Sequence, residues 1–594
     1  MFDVAPNLSA ENCAVVTAML VLALRLAIVR IPSKLPPALA FAAAPLGLVL
    51  MTGFFARDQR YFGWHALAIA LITPPILRLV LRNERRVLAA LALVIYPISV
   101  YAYTNATTLE TAEGKPRVNF FENAHMLLPA SEMLDGEKLY RDILPAHGML
   151  EDGFFDFIAL RVRGPQISNA LRARVLIGCL NAVAVYALGA AMTGSMEAGV
   201  ATFFLASITG TIAPSTIRFL PALFTLAMTA SAVRRRNAKW LGYAARGIVI
   251  CGITSLDFAF YAAAAVIVAA LRFRPIKPAL KQVMIGLLAT GIPLFLFLAI
   301  LGIADDFVKG TLFEVLPLSE VYAMDIFDTP AGFRAYQHVP EVLAALVHRT
   351  SWGYMVWIGA LFFTAAALTR KASRRIEPLL VVAVFMVLGA ISYAERHHLH
   401  FQFATAAFLA GLIWLLFRKR SQYATPAVIL ALILGVPTSH LAIDGWLRRS
   451  RGPIDNGWVE IKDLPRARGT IFTTGDAEMV ATVKRYVDTN LKPDETFFDF
   501  TNRGLFYVLL HRDCPIRQYE VAFYETEEKQ REVIARLERD PRVVMALVPL
   551  GPNDDGANVD GVPNAERAPL VWKYLEANFT PALTEGAVSI WKRK

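Results

Sequence analysis

The sequence predicts a polytopic α-helical membrane protein with about 11–14 spans, followed by a soluble α/β domain at the C-terminus. Hydrophobic residues make up 56% of the 594 residues and charged residues only 18%, whereas an average soluble domain has about 25% charged residues. The mean hydropathy is +0.45, and the apolar residues come in long blocks. These observations exclude a disordered chain and an ordinary cytosolic protein. The lack of a heptad or solenoid period excludes a fibrous or repeat architecture.

Apolar runs of membrane-spanning length follow one another through most of the chain. Each span needs roughly 20 apolar residues, because the backbone must bond to itself across the hydrocarbon. The runs cover residues 13–31, 37–55, 61–81, 87–103, 171–192, 198–213, 215–233, 240–255, 258–271, 282–301, 351–369, 378–393, 401–417 and 425–441. They predict extra N-terminal helices over 1–86, a transmembrane domain over 87–450 with external loops 104–170 and 304–349, and an external domain over 451–594.

Basic residues cluster in the loops on one side of these helices. The clusters are Arg82/Arg85/Arg86, Arg234/Arg235/Arg236/Lys239, Arg272/Arg274/Lys277/Lys281, Lys371/Arg374/Arg375 and Arg418/Lys419/Arg420. Because basic loops stay in the cytoplasm, the long loops and the tail are predicted to face the periplasm or exterior of an inner (plasma) membrane. The net charge is +11, yet residues 453–594 contain 23 acidic and 19 basic side chains. This distribution predicts contact with membrane lipids and no nucleic-acid partner.

The tail has the alternating pattern of a small α/β domain. Strand-like runs cover 470–474, 496–501, 543–549 and 588–592, and helix-like runs cover 477–491, 525–539 and 569–578. It contains neither a Gly-rich phosphate loop nor a nucleophile elbow. We therefore expect an accessory or acceptor-facing domain.

The first external loop sets many charged residues among apolar ones. Residues 120–157 include Glu122, His125, Glu132, Asp135, Glu137, Arg141, Asp142, His147, Glu151 and Asp152. Leu127, Leu128, Met133 and Leu134 recur near helical spacing, which is typical of a helix lying along the membrane interface. The pattern predicts that this loop walls an active site at the bilayer surface.

Two segments of this loop, FFENAH (120–125) and GEKLYRDILPAHG (136–148), resemble the fold-type-C (GT-C) superfamily of membrane glycosyltransferases. This superfamily includes protein mannosyltransferases and bacterial aminoarabinose transferases. The resemblance covers roughly 87–441 and implies a GT-C-like helical core and a hexosyl- or pentosyltransferase of cell-envelope glycan biosynthesis. The implied donor is a sugar on a polyprenyl phosphate, and the implied acceptor is a glycan, lipid or protein hydroxyl. Glu122 stands at the place of the superfamily's acidic residue.

Glu122 is the predicted general base. Sugar transfer from a phosphate needs a more nucleophilic acceptor hydroxyl, which a carboxylate within hydrogen-bond reach provides. A single displacement from the opposite face inverts the anomeric centre. The alternative is that Glu122 caps a helix or is merely solvated.

The departing phosphate needs cationic hydrogen-bond donors beside it. The candidates for binding donor phosphate or substrate are His125, Arg141, Asp142, His147, Arg218, Asp257, Arg396, His397, His398 and His400. The segment SYAERHHLHF could instead bind a metal or be structural. Asp257 is either functional or a turn carboxylate, and Arg218 meets the lipid phosphate or is a paired structural residue.

No cofactor or metal site is assigned from these patterns. The four cysteines show no CxxC or Cys/His ligand spacing. Asp142 and His147, with Glu122, could orient substrate or a divalent cation, Mg²⁺ or Mn²⁺. A lone Glu replaces the paired acidic motif of several GT-C branches, which argues against a metal. The acidic residues of loop 304–349 are expected to form a solvated face.

A polytopic transporter or lipid-linked-glycan flippase is the alternative function. Transporters place ionisable residues near the midplane and often show two similar halves. Here the charges lie at span junctions and no halves match, which favours the glycosyltransferase.

Overall fold

The computed structural model describes residues 115–194, 198–199, 202, 216–317, 349–369, 374–396, 404–417, 457–550, 558–559, 562–585 and 588–594. Within these ranges the chain forms a helical bundle and a C-terminal domain built on a sheet. The predicted spans before residue 104, the span 425–441 and most of 198–213 lie outside the described residues. The predicted number of spans therefore stays a prediction.

The helices of the first part follow the apolar runs of the sequence. They are α1 (Glu122–Leu134), α2 (Phe155–Arg163), α3 (Ile167–Thr193), α4 (Phe219–Arg235), α5 (Lys239–Gly252), α6 (Leu256–Leu271), α7 (Ile276–Ile300), α8 (Ala304–Lys309), α9 (Arg349–Thr369), α10 (Glu377–Arg396) and α11 (Thr405–Phe417). Each predicted span in the described ranges corresponds to one of them. The prediction of a mostly helical chain is thus confirmed for this part of the molecule.

The helices pack around an apolar core. Helix α4 lies against α3 and α5, α5 lies against α7, and α6 lies against α10. In α6, Ala262, Ala265 and Ala269 are fully buried, and such small side chains let neighbouring backbones approach closely. Phe258 and Phe385 extend the core between α6 and α10, with ring centroids 6.3 Å apart.

Helix α7 turns most of its apolar surface outward. Among the described residues it is the helix that is both long and apolar enough to cross a membrane. Only 17% of its most apolar stretch is buried inside the protein. Ile292, Phe295 and Ile300 are exposed. A soluble protein rarely leaves so large a contiguous apolar surface facing water.

The C-terminal domain contains the predicted sheet. Its strands are β1 (Trp458–Val459), β2 (Phe472–Thr473), β3 (Thr496–Asp499), β4 (Val543–Val548), β5 (Asn558–Val559), β6 (Val562–Pro563), β7 (Phe579–Glu585) and β8 (Val588–Arg593). Its helices are α12 (Thr474–Asn490), α13 (Leu505–Leu510), α14 (Glu527–Arg539), α15 (Asn564–Arg567) and α16 (Pro569–Asn578). The main sheet has the order β3-β4-β8-β7, in which β3 and β4 are parallel and the other pairs are antiparallel.

The C-terminal domain and the described part of loop 104–170 share one hydrophobic core. Phe120 of the loop packs against the domain, with its ring centroid 5.0 Å from that of Phe506 and 6.3 Å from that of Phe472. The backbone N–H of Val118 donates to the carbonyl of Ile471 at 2.9 Å. Loop residues such as Leu127 and Leu128 are buried in the same core as Leu505 and Phe523 of the domain. The tail is therefore joined to the loop that carries the predicted site.

Candidate functional site

Four segments of the chain lie close to one another. They are the first turn of α1, the turn 147–152, and the junctions that precede α4 and α6. The N–H of Leu150 donates to the Ile253 carbonyl at 3.0 Å, and the N–H of Ile217 donates to the Glu151 carboxylate at 2.6 Å. A Cβ on Gly148 would lie 2.9 Å from the Ile253 oxygen, so this close approach requires glycine.

Glu122 is an exposed residue in the first turn of α1. The helix is capped by Asn119, whose Oδ1 accepts from the N–H groups of Phe121 and Glu122 at 3.1 and 3.0 Å. The Asn119 N–H in turn donates to Asn123 Oδ1 at 2.9 Å. The Glu122 carboxylate is therefore not needed as a cap.

His125 follows Glu122 by one helical turn and is buried. Its Nε2 lies 2.5 Å from Oε2 of Glu520, a residue of the C-terminal domain, and its ring packs edge-on against Phe121 at 4.9 Å. Burial alone would lower the pKa of His125, but the Glu520 carboxylate, with Asp152 and Glu122 nearby, raises it to about 9. The imidazole is therefore a cation at neutral pH.

His147 is held by the buried carboxylate of Asp152. The backbone N–H of His147 donates to Asp152 Oδ2 at 2.7 Å, and its ring Nδ1 lies 3.1 Å from the same oxygen. Burial alone would raise the pKa of the Asp152 carboxyl, but its interactions with His147, and the charge of His125, lower it. The carboxylate directs Nδ1–H toward itself, which leaves Nε2 of the half-buried His147 for a ligand. The rings of His125 and His147 are 5.8 Å apart.

Arg218 and Asp257 are brought together at the starts of α4 and α6. Arg218 Nε and Nη2 each lie 3.2 Å from Ser255 Oγ, and Nη2 lies 3.9 Å from Asp257 Oδ2. The Ser255 hydroxyl donates to the other oxygen of Asp257. The guanidinium also sits over the Phe258 ring at 5.6 Å. This arrangement holds a cation beside the turn that carries His147.

The sequence did not predict a buried ion-pair cluster that includes Glu151 of the turn 147–152. Arg174 donates from Nε and Nη2 to Asp156 at 2.9 and 2.6 Å, and from Nη1 to Glu151 at 2.9 Å. Glu151 also binds the N–H of Ile217, next to Arg218. The cluster thus fixes the turn 147–152 to the start of α4. The signal in the sequence was a charged residue just inside the predicted span 171–192.

Arg141 and Asp142 contact other parts of the chain. Arg141 donates to Asp306 at 2.6 and 2.9 Å and to the Gly302 carbonyl at 2.5 Å. Asp142 accepts from the N–H of Lys138 at 2.9 Å. Arg396 is the last residue of α10. The three predicted histidines that follow it lie outside the described residues: His397, His398 and His400.

Two charges expected on a solvated face instead form ion pairs. Asp306 binds Arg141, and Glu314 accepts from both terminal nitrogens of Arg517 at 2.6 and 2.7 Å. Cations of the first loop and of the tail thus pair with these two carboxylates, and the solvated face stays a prediction for the other acidic residues of the loop.

Metal binding has no support in the part of the chain that the structure describes. That part contains no group of three or more His, Cys, Asp or Glu side chains that could hold a metal ion. The Mg²⁺ or Mn²⁺ alternative stays a prediction, since three of the histidines lie outside these ranges.

Comparisons with known proteins assign no family to the chain. No protein-family profile matches it, and no curated protein matches it. Among solved structures it is similar to ArnT from Cupriavidus metallidurans bound to undecaprenyl phosphate, with 12% sequence identity and a TM-score of 0.46. That similarity covers 84% of this chain and 98% of the ArnT chain. At this level it assigns neither a fold family nor a function, so the proposals below rest on this chain's own residues.

Proposed function

We propose that the chain is an integral membrane glycosyltransferase that moves a hexosyl or pentosyl group from a polyprenyl-phosphate donor to a hydroxyl of a glycan, lipid or protein, on the periplasmic or external face. The observation that carries this proposal is that the Glu122 carboxylate acts on His125, whose ring lies 5.8 Å from that of His147, while Arg218 follows Ile217, whose N–H binds Glu151 of the turn 147–152. A base for the acceptor and cations for a phosphate are the two parts that the reaction requires.

Glu122 would remove the proton from the acceptor hydroxyl. The hydroxyl oxygen attacks the anomeric carbon while the bond from that carbon to the phosphate oxygen breaks. The polyprenyl phosphate leaves with the bonding electron pair, and the sugar inverts. Glu122 suits this role because Asn119 caps the helix. The exposed Glu122 side chain is therefore not used as the cap.

His147 and Arg218 would stabilise the departing phosphate. Arg218 gives a planar guanidinium that matches phosphate oxygens, and it is already oriented by Ser255 and Asp257. His147 offers Nε2 because Asp152 occupies its Nδ1. The buried Arg174 binds Glu151 of the turn that carries His147, and Glu151 binds the N–H of Ile217, which precedes Arg218.

The lipid part of the donor would lie along α7. The ring of Phe154, just after the turn 147–152, packs against the ring of Phe297 near the end of α7. Their centroids are 5.8 Å apart. The exposed apolar side of α7 continues from there. An isoprenoid chain in this position would place its phosphate at the border between hydrocarbon and water.

A donor screen tests the proposal. Purified full-length protein in lipid nanodiscs is incubated with a panel of polyprenyl-phosphate sugars and hydroxyl acceptors, and products are read by mass. We expect one donor to raise the melting temperature and to yield free polyprenyl phosphate plus an acceptor heavier by one sugar. Movement of the lipid-linked sugar across vesicles without any transfer would contradict the proposal and favour a flippase.

A further inference from the structure

A short segment of the C-terminal domain, 514–520, contacts both external loops. The N–H of Cys514 donates to Glu132 of α1 at 3.2 Å. Arg517 donates from Nε to the Tyr140 carbonyl at 2.9 Å and from its terminal nitrogens to Glu314. This segment therefore connects α1, the stretch near Tyr140 and the short helical segment 310–315 that contains Glu314.

The end of segment 514–520 lies against the first turns of α1. The Tyr519 hydroxyl donates to the His125 carbonyl at 3.4 Å, and Glu520 contacts the His125 ring at 2.5 Å. The neighbouring Val521 N–H donates to Asn502 Oδ1 at 2.9 Å, which anchors this end in the domain. Glu520 is buried, so its carboxylate is shielded from water.

We propose that Glu520 is a positioning residue for the transfer reaction: through Nε2 of His125 it fixes the imidazole beside Glu122 and His147. The inference rests on the proposed function. It makes the C-terminal domain a structural part of the site, because His125 has no comparable anchor within α1.

The charges around His125 support this role. Glu122 faces it from α1, Asp152 and His147 face it from the turn 147–152, and Glu520 faces it from the tail. Burial opposes the charged imidazole, so the carboxylates must hold the proton in place. Glu520 is the one in hydrogen-bond contact. Without that carboxylate the pKa of His125 falls, and the ring loses both its charge and its orientation at neutral pH.

The variant Glu520→Gln tests the proposal in the full-length protein. Glu525→Gln is the matched control, because it removes a carboxylate of the same domain that pairs with Arg567 at 3.1 Å, away from His125. Exchange of the imidazole C2 hydrogen for deuterium, followed across pH by mass spectrometry, reports the pKa of His125 itself. We expect Glu520→Gln to lower that pKa by more than one unit and Glu525→Gln to leave it unchanged.

Transfer rates give the second measurement. We expect Glu520→Gln to lower kcat by roughly 10–100-fold, as loss of a supporting contact to a functional imidazole does, and to move the alkaline limb of the pH profile to lower pH. In the background His125→Gln, adding Glu520→Gln should cost less than twofold, since the two act as one unit.

Separate outcomes distinguish the two proposals. An unchanged His125 pKa, or full additivity of the two substitutions, would overturn the role of Glu520 even if the wild-type protein transfers sugar. If the wild-type protein transfers nothing from any donor, the proposed function fails, and the positioning role in transfer fails with it. The exchange measurement would still show whether Glu520 sets the charge of His125.

Discussion

Asp152 accepts the backbone N–H and faces the ring Nδ1 of one residue, His147. The same carboxylate oxygen thus fixes both the turn and the imidazole that the turn presents. A His–carboxylate pair of this kind sets which ring nitrogen carries the proton. The orientation of His147 therefore depends on a residue that is itself buried.

Asp152→Asn removes the charge and keeps the shape. An amide can present its NH₂ group to Nδ1, which favours the wrong tautomer of His147. We expect kcat for sugar transfer to fall roughly 10–100-fold with a small change in melting temperature. Steady-state rates and thermal unfolding measured together check this. A variant that keeps the wild-type rate would show that the tautomer of His147 does not matter.

Arg174→Met tests the buried ion-pair cluster. Removing the guanidinium leaves Glu151 and Asp156 buried without their cation, which costs about 3–5 kcal/mol. We expect a lower melting temperature and loss of transfer, because Ile217 and the start of α4 lose their anchor. Arg172→Met is the matched control on the exposed side of α3 and should change stability by less than about 0.5 kcal/mol. Equal stability of the two variants would contradict this account.

Alkaline pH should weaken the contact between the C-terminal domain and α1. The pKa of His125 is raised to about 9 in the folded protein, from about 6.5 when unfolded. A raised folded pKa stabilises the fold fully below about pH 6.5, and this contribution is lost as the pH rises through about 9. The melting temperature of the wild type should fall toward that of His125→Gln across this window. Parallel curves for the two proteins would refute the contribution.

Gly148→Ala tests the close approach of the turn to the α5–α6 junction. The new Cβ would lie 2.9 Å from the Ile253 oxygen, so the turn must shift, at a cost of about 1–3 kcal/mol. We expect at least a tenfold loss of transfer, since His147 moves with the turn. Gly252→Ala is the control, because a Cβ there meets nothing within 4 Å and alanine favours the helix. Similar rates for both variants would contradict the proposed geometry.

Sequence patterns predicted the elements of this molecule well, because length and periodicity determine them locally. The run 282–301 lies within α7 except for its last residue, and the runs 543–549 and 588–592 match β4 and β8 to within one residue. Strand β7 was missed: its residues are mostly exposed, and a solvated edge strand lacks the apolar signal of a core strand.

The contacts of the site were less predictable, because they join distant parts of the chain. His125 and Glu520 are 395 positions apart, and no local pattern links them. Arg141 was predicted to bind a phosphate, and the structure shows it paired with Asp306, which lies 165 positions away. The sequence named Glu122, His147, Arg218 and Asp257 one by one, and their roles in transfer stay predictions; it could not show that Arg218 and Asp257 pair across the starts of α4 and α6.

The most direct test of the account is sugar transfer by Glu122→Gln. The substitution keeps size and exposure but removes the base, and loss of a general base lowers rates roughly 10²–10⁴-fold. Glu478→Gln, an exposed carboxylate near the start of α12, is the matched control and should transfer at the wild-type rate. With a donor that the wild-type protein accepts, the account predicts almost no product from Glu122→Gln at unchanged melting temperature. Wild-type product formation by Glu122→Gln would contradict it.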